Sequence, residues 1–148
     1  MDSRLRLTLH NDLGEITRIA GEVERFCREN GLSEKVAYGL NLSFDELITN
    51  TVLYGYEDRA EHLIALDLQL IGDTLWVRMA DDGVPFNPLA DARRPDLEAP
   101  LERRSIGGMG IHLVRSVMDS IRYYRDGALN RLVMSLEVGR PHDGRRSA

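Results

Sequence analysis

The sequence is poor in cysteine and in long apolar stretches. Cys27 is the only cysteine among 148 residues, which excludes an intramolecular disulfide framework. No stretch approaches the ~20 consecutive apolar residues that a membrane-spanning helix needs. The N-terminal MDSRLRLTLH also lacks the apolar core of a signal peptide. We therefore expect a cytoplasmic protein in which Cys27 is a packed thiol.

Acidic residues outnumber basic residues. The formal net charge is -5, from 19 basic and 24 acidic residues, and this balance does not favour binding to nucleic acid. Arginines do cluster, at Arg93 and Arg94 and again at Arg103 and Arg104, and we interpret these clusters as local features. With 43% hydrophobic and 29% charged residues, the composition indicates one soluble globular domain.

Hydrophobic periodicity predicts a strand, two helices, and then four strands interrupted by a loop and a helix. The predicted strands cover residues 4–10, 64–70, 75–79, 120–125 and 131–138, and the predicted helices cover residues 13–30, 34–54 and 111–119. This order is typical of an α+β sandwich, in which a mixed sheet carries helices on one face.

Capping and turn residues mark several ends of these elements. Asp12 precedes Glu15 by three residues, the spacing of a capping box at the start of the first helix. Ser33 is a suitable N-cap for the second helix. Tight turns are expected at Gly72–Asp73 and at Asp126–Gly127.

No periodicity persists between residues 81 and 108. This stretch holds four of the five prolines and many charged residues. A structureless segment of this length inside a compact domain is usually functional or disordered. The C-terminal PHDGRRSA, residues 141–148, is expected to be disordered.

The second helix carries the motif DELITNTVLYGY. Glu46 and Asn50 are four residues apart, so they project from one side of the helix, at the flank of its apolar face. A carboxylate and an amide in that place form either a solvated edge or one wall of a pocket. Taken alone, the motif favours the solvated edge.

A second motif, MADDGVPFNP, follows the strand that ends at Asp81. Asp-Asp-Gly is an ordinary turn signal, but turn chemistry does not explain an aromatic residue at Phe86. A carboxylate at a strand end is well placed to accept a hydrogen bond from the exocyclic amine of adenine. Gly83 would let the backbone approach a flat ring closely.

The third motif, SIGGMGIHLVRSVMD, places three glycines directly before a helix. The backbone N–H groups of Gly107, Gly108, Met109 and Gly110 would converge on an anion at that helix N-terminus. The motif is not a P-loop, because Gly-Lys-Ser/Thr is absent, and it lacks the dinucleotide-binding fingerprint. A flexible hinge explains any single glycine, but it explains three in four positions poorly.

Together the three motifs supply the parts of a site for ATP and Mg²⁺. Asp81 would bind adenine and the glycine cluster would bind phosphates. Asn50 would give Mg²⁺ a neutral oxygen ligand. Glu46 would take a proton from an attacking hydroxyl. The segment between Asp81 and Gly107 would form a lid that excludes water.

On these residues the chain resembles the ATPase family shared by histidine kinases, Hsp90, MutL and gyrase. ELITN, DDGVPF and GGMGIHLV match its N, G1 and G2 boxes in the right order. Within that family the chain is similar to the anti-sigma factor serine/threonine kinases of bacterial partner-switching systems. The resemblance covers nearly the whole chain, from Leu5 to Val138.

The resemblance implies a Bergerat-type α+β two-layer sandwich with a mixed, mostly antiparallel sheet. It implies one domain over residues 1–140 with an ATP lid at about 87–108, ATP and Mg²⁺ as cofactors, Glu46 as general base and Asn50 as metal ligand. The residues expected to bind the cofactor are Asn50, Asp81, Gly83, Phe86, Gly107, Gly108, Met109, Gly110 and Ile111.

The resemblance also implies partners. The substrate would be a serine or threonine of a STAS-domain anti-anti-sigma factor, and a sigma factor or another output protein would be the second partner. A homodimer is expected, with no direct contact to nucleic acid or membrane.

A second function stays open: an ATP-sensing module that sequesters its partner without phosphorylating it. Every ATP-binding residue would serve that module unchanged, and Glu46 alone points to catalysis. A histidine kinase fragment is a weaker alternative, since no dimerising helix with a phosphoacceptor histidine is apparent. An Hsp90- or MutL-like machine would need further domains.

Overall fold

The computed structural model describes residues 3–90 and 108–139. The predicted tail, most of the predicted lid, Gly107 and the two arginine pairs at 93–94 and 103–104 lie outside the described residues. The elements in chain order are β1 (Ser3–His10), α1 (Glu15–Glu29), α2 (Glu34–Tyr54), β2 (Leu63–Ile71), β3 (Thr74–Asp81), α3 (Gly108–Val117), β4 (Ser120–Asp126) and β5 (Leu129–Glu137).

The strands form one five-stranded sheet in the order β1-β2-β3-β5-β4. The predicted α+β class is confirmed, but the pairings between the described strands are all antiparallel, so the sheet is not mixed there. The reason lies in the last hairpin. Strand β4 runs in the same direction as β3, but β5 lies between them and pairs antiparallel with both.

The core lies between the helices and one face of the sheet. Along β2 and β3 every second side chain is buried, and this buried row includes Leu66 and Val77. The positions between them point to the other face and carry more polar residues. Helix α2 covers this row with Leu40 and Phe44, both almost fully buried. Helix α2 packs against both α1 and α3 and so forms the centre of the helical layer. The end of α2 is thereby fixed over the sheet.

The predicted packing of Cys27 is confirmed. Its side chain is buried with the apolar residues of α1, and burial raises the pKa of the thiol to about 11. A thiol with a raised pKa is a poor nucleophile. No helix among the described residues has both the length and the apolar composition needed to cross a bilayer.

The start of α1 differs from the predicted capping box. Oδ1 of Asp12 accepts a hydrogen bond from the N–H of Gly14 at 2.8 Å, forming a turn before the helix, and α1 begins at Glu15. Oε2 of Glu15 accepts the N–H of His10 instead. Arg18 and this backbone donor lower the pKa of Glu15 to about 2. Ser33, in contrast, caps α2 as predicted and accepts the N–H of Val36 at 3.1 Å.

The last helix and hairpin are shifted from their predicted bounds. Helix α3 begins at Gly108, three residues earlier than expected, so two of the clustered glycines lie in its first turn. Asp126 pairs with Leu129, which makes Gly127 and Ala128 the two-residue turn. Gly127 has φ +58°, a conformation that glycine adopts without strain.

Candidate functional site

A pocket opens where the C-terminal part of α2 passes over the ends of β3 and β5. Leu47, Met79 and Leu132 give it apolar walls. Its other lining residues are Asn50, Thr51, Gly55, Asp81, Phe86, Pro88, Tyr123 and Asn130. Three residues that the sequence assigned to one site, one on α2 and two near the end of β3, therefore line a single cavity.

Asp81 is the acidic residue of this pocket. Its Oδ1 accepts two hydrogen bonds, from the N–H of Gly83 at 2.9 Å and from Nδ2 of Asn130 at 3.0 Å. Within residues 3–90 and 108–139, no hydrogen bond to Oδ2 is recorded. The protein thus holds the carboxylate through one of its two oxygens.

The loop after β3 and the end of α2 approach each other closely beside the pocket. The N–H of Val84 donates to the carbonyl oxygen of Gly55 at 2.7 Å. A Cβ atom on Gly83 would lie 2.3 Å from that oxygen and 2.9 Å from Oδ1 of Asp81. Only glycine fits at position 83, and the reason is contact with the protein's own backbone, whereas the sequence suggested contact with a ligand.

Sequence reasoning missed Asn130, which connects the parts of the pocket. Its Oδ1 accepts the hydroxyl of Tyr123 at 2.6 Å and the N–H of Phe86 at 3.3 Å. Its Nδ2 donates to Val84 O at 2.8 Å in addition to Asp81. The available signal was a polar residue in the inward-facing row of β5, which continues with the apolar Leu132 and Met134.

Arg125 closes the same network from the neighbouring strand. Its Nη1 donates to the carbonyl of Gly83 at 2.9 Å and to Oδ1 of Asn130 at 3.2 Å, and its Nε donates to the carbonyl of Gly127 at 3.0 Å. One guanidinium therefore ties the β4–β5 turn to the loop after β3. No local feature of the sequence indicates this contact.

Glu46 and Asn50 lie one turn apart on α2. Asn50 lines the pocket, whereas Glu46 is not one of its lining residues. Glu46 is partly buried, and burial raises the pKa of its carboxyl group, with a smaller contribution from the neighbouring Asp45. A carboxylate with a raised pKa is a better proton acceptor.

The first turn of α3 contains Gly108, Met109 and Gly110. The first N–H groups of a helix have no acceptor within it, and the helix dipole is positive at that end. Ile111 is 7% exposed and belongs to the hydrophobic core, so its side chain packs instead of facing a ligand. Its predicted contact with the cofactor would have to come from its backbone.

A cluster of ionisable side chains around His62 lies next to the pocket. The ring of His62 stacks on Tyr56, with centroids 4.2 Å apart, and its nitrogens lie 2.7 Å from Oδ1 of Asp58 and 3.0 Å from Oδ1 of Asp82. Hydrogen bonds to these carboxylates raise the pKa of His62. Burial and three nearby carboxylates, Asp81 among them, raise the pKa of Tyr56. His62 thereby joins the segment after α2 to the segment after β3.

Curated proteins similar to this chain include two kinds of regulator. A protein named serine-protein kinase RsbW, from Listeria monocytogenes, is 28% identical over 101 residues, which are 65% of this chain and 63% of that protein. A protein named anti-sigma F factor, from Oceanobacillus iheyensis, is 30% identical over 78 residues, 51% of each chain. The chain thus spans less than two thirds of the length of these relatives.

Solved structures share the fold at low sequence identity. The RsbU and RsbW domains of a Mycobacterium tuberculosis protein match with a TM-score of 0.63 and 12% identity, covering 94% of this chain and 33% of that one. The Acinetobacter baumannii histidine kinase AdeS matches with a TM-score of 0.50 and 12% identity, covering 89% and 68%. The fold expected from the resemblance is confirmed.

The family comparison agrees with both sets of relatives. Residues 9–136 match the histidine kinase-like ATPase domain, a range that runs from the end of β1 to the end of β5. The three motifs quoted from the sequence all lie inside this range. The chain therefore belongs to the histidine kinase-like ATPase domain family.

Proposed function

We propose that this chain is an ATP-dependent serine/threonine protein kinase and an anti-sigma-type regulator, which phosphorylates a STAS-domain anti-anti-sigma protein. The observation that carries the proposal is that Asn50 of α2 lines the same pocket as Asp81, while Glu46 lies one turn before Asn50 on that helix. The groups that we propose as base, metal ligand and adenine acceptor thus lie toward one end of the sheet.

The chemistry of the pocket lining is suited to an adenine base. Leu47, Met79 and Leu132 offer apolar surface to a flat ring. Asp81 has one oxygen fixed by the protein, and the other is suited to accept the exocyclic amine. Phe86, which also lines the pocket, would cover the ring from the loop side.

The phosphate end of the site would be built from α2 and α3. Asn50 would be the protein ligand of Mg²⁺, which commonly keeps several waters and phosphate oxygens as its other ligands. The backbone N–H groups of Gly108, Met109 and Gly110, in the first turn of α3, would bind phosphate oxygens. Gly107 and the lid, which we propose covers the nucleotide, lie outside the described residues.

When bound, ATP would supply the γ-phosphoryl group and Mg²⁺ would offset its negative charge. Glu46 would accept the proton of the partner's serine or threonine hydroxyl as that oxygen forms its bond to the γ-phosphorus and ADP leaves with the bridging oxygen. Burial makes this carboxylate more basic than an exposed one, which suits the role. The chain itself would therefore provide the base and the binding groups.

The relatives support the choice of partners. One group of similar proteins is named serine-protein kinase RsbW and another is named anti-sigma F factor. We propose that this chain likewise binds a sigma factor or another output protein, that its substrate is a STAS-domain protein, and that it acts as a homodimer in the cytoplasm. A protein phosphoacceptor is consistent with a base that lies beside the pocket and not within it.

The proposal is tested by phosphotransfer. The purified chain is incubated with γ-labelled ATP, Mg²⁺ and, one at a time, the STAS-domain proteins of the same genome. We expect label on a serine or threonine of one of them, and no label when Mg²⁺ is chelated.

A failure of transfer has a specific meaning. If ATP binds but no STAS-domain protein is labelled, the kinase proposal is contradicted, and the ATP-sensing module that holds its partner becomes the function to pursue. ATP-dependent co-elution with a partner, without label, would identify that module.

A further inference from the structure

Three polar side chains are buried among the described residues: Ser43, Asn130 and Ser135. The hydroxyl of Ser43 donates to a carbonyl of its own helix, and the hydroxyl of Ser135 bonds that of Ser120. Asn130 differs from both because it lines the pocket. A buried amide is costly unless it is fully hydrogen-bonded, so its position in the pocket needs an explanation.

The amide of Asn130 can take only one orientation. Its oxygen faces three donors, the hydroxyl of Tyr123, the N–H of Phe86 and Nη1 of Arg125. Its NH₂ group faces two acceptors, Oδ1 of Asp81 and the carbonyl of Val84. Rotating the amide by 180° would oppose donors to donors and acceptors to acceptors.

This fixed amide determines how Asp81 is presented. Nδ2 of Asn130 and the N–H of Gly83 both donate to Oδ1, and these two bonds resist rotation of the carboxylate about its Cβ–Cγ bond. Oδ2 is then held in one direction as an acceptor. A carboxylate without Asn130 would retain only the Gly83 donor and would turn more easily toward ligand donors elsewhere.

We propose that Asn130 is a positioning residue that sets base specificity: by anchoring Oδ1 of Asp81 it presents Oδ2 as a fixed acceptor, and so selects a 6-aminopurine over a 6-oxopurine nucleotide. The inference rests on the proposed ATP site and deepens it. A 6-amino group donates to the fixed oxygen, whereas a 6-oxo group opposes it with a second acceptor. A carboxylate free to turn would instead reach the N1–H donor of the 6-oxopurine.

The test compares ATP with ITP, which carries a 6-oxo group and lacks the 2-amino group of GTP. Binding of each nucleotide to the full chain is measured by calorimetry for wild type, Asn130→Ala and Ser135→Ala. The Ser135 variant is a matched control, because it removes a buried polar group of the same strand outside the pocket. We expect the preference for ATP over ITP to fall about tenfold or more in Asn130→Ala, as for loss of one charged hydrogen bond, and to stay unchanged in Ser135→Ala.

A second variant keeps the test decisive if Asn130→Ala does not fold. Tyr123→Phe removes the 2.6 Å hydrogen bond that orients the amide but keeps the aromatic ring. Its preference for ATP should fall by a smaller factor, about threefold.

The outcomes separate the two proposals. Equal losses of ATP and ITP affinity in the Asn130 variant would make Asn130 a purely structural residue and overturn the inference, while the proposed ATP site would stand. If wild type bound neither nucleotide, the proposed function would be contradicted. The inference rests on that function and would be contradicted as well.

Discussion

The N–H of Val84 donates to the carbonyl oxygen of Gly55 at 2.7 Å and joins the end of α2 to the loop that follows β3. Asn50 is on the helix that ends at this contact, and Asp81 is at the end of the strand. This backbone contact therefore helps to hold the proposed metal ligand and the proposed adenine acceptor at a fixed distance. Substitutions at this contact should change both stability and nucleotide binding.

Gly83→Ala tests the contact most severely. The new Cβ would lie 2.3 Å from a backbone oxygen that cannot move without displacing the end of α2. We expect a loss of about 2 kcal/mol in the free energy of unfolding and a marked loss of ATP affinity. Gly21→Ala is the control, since its Cβ meets nothing within 4 Å in a helix. It should stabilise the chain by about 0.5–1 kcal/mol in urea titrations. Equal stability of the two variants would contradict the close approach.

Glu46→Gln should separate binding from chemistry. The amide keeps the shape of the side chain but cannot accept a proton, so we expect unchanged ATP affinity and phosphotransfer slowed about 10²-fold or more. Single-turnover kinetics with labelled ATP and an identified protein substrate measures the step directly.

Asp45→Asn is the matched control for Glu46. It removes a carboxylate one residue away that is exposed and contributes to the raised pKa of Glu46. Transfer should stay within a few-fold of wild type. If Glu46→Gln lost ATP binding as strongly as transfer, Glu46 would be a structural residue or a metal ligand and not the base.

Most of the fold could be predicted from local patterns. Alternating residues such as Leu66 and Leu68 predict a strand buried on one face, and Ser33 fixes the start of α2, because both signals act over a few residues. The start of α1 was predicted wrongly because the Asp12 carboxylate has two competing local donors, and the nearer one, the N–H of Gly14, donates to it. The sheet was expected to be mixed because strand order cannot be read from periodicity.

Sequence motifs predicted only those residues of the candidate site that lie within the motifs themselves. Asn50, Asp81 and Phe86 were named from the sequence and line one pocket. Asn130 was not, because its bond to Asp81 joins residues 49 positions apart. Contacts of this kind depend on the pairing of β3 with β5, which brings Asp81 directly opposite Asn130.

Stability should depend on pH through His62. Its pKa is raised in the folded state by hydrogen bonds to Asp58 and Asp82, so the charged ring stabilises the fold. This stabilisation is complete below the unfolded pKa of about 6.5 and is lost as pH rises through the higher folded value. We expect the free energy of unfolding of wild type to exceed that of His62→Gln by the largest amount at about pH 6. This difference should shrink toward about pH 8.5.

Urea unfolding of both proteins across this range measures the difference. Asp58 has a lowered pKa in the folded state and titrates in acid, outside the window. A difference that stayed constant with pH would show that His62 acts through stacking on Tyr56 alone. A difference that grew with pH would contradict the assigned direction of its pKa shift.

The assignment of the nucleotide pocket depends on Asp81, and Asp81→Asn tests it without disturbing the loop. The amide oxygen of the new side chain would still accept hydrogen bonds from Gly83 and Asn130, so cooperative unfolding should persist. The NH₂ group would replace the oxygen proposed to accept the adenine amine. Asp82→Asn removes a neighbouring charge that faces His62, and so controls for net charge.

The most direct measurement is therefore the ATP-binding isotherm of wild type, Asp81→Asn and Asp82→Asn, each shown to be folded. The account predicts saturable binding by wild type and by Asp82→Asn with affinities within about threefold, and a loss of about 100-fold or more in Asp81→Asn. Unchanged affinity in Asp81→Asn would place adenine elsewhere and contradict the site described between α2, β3 and β5.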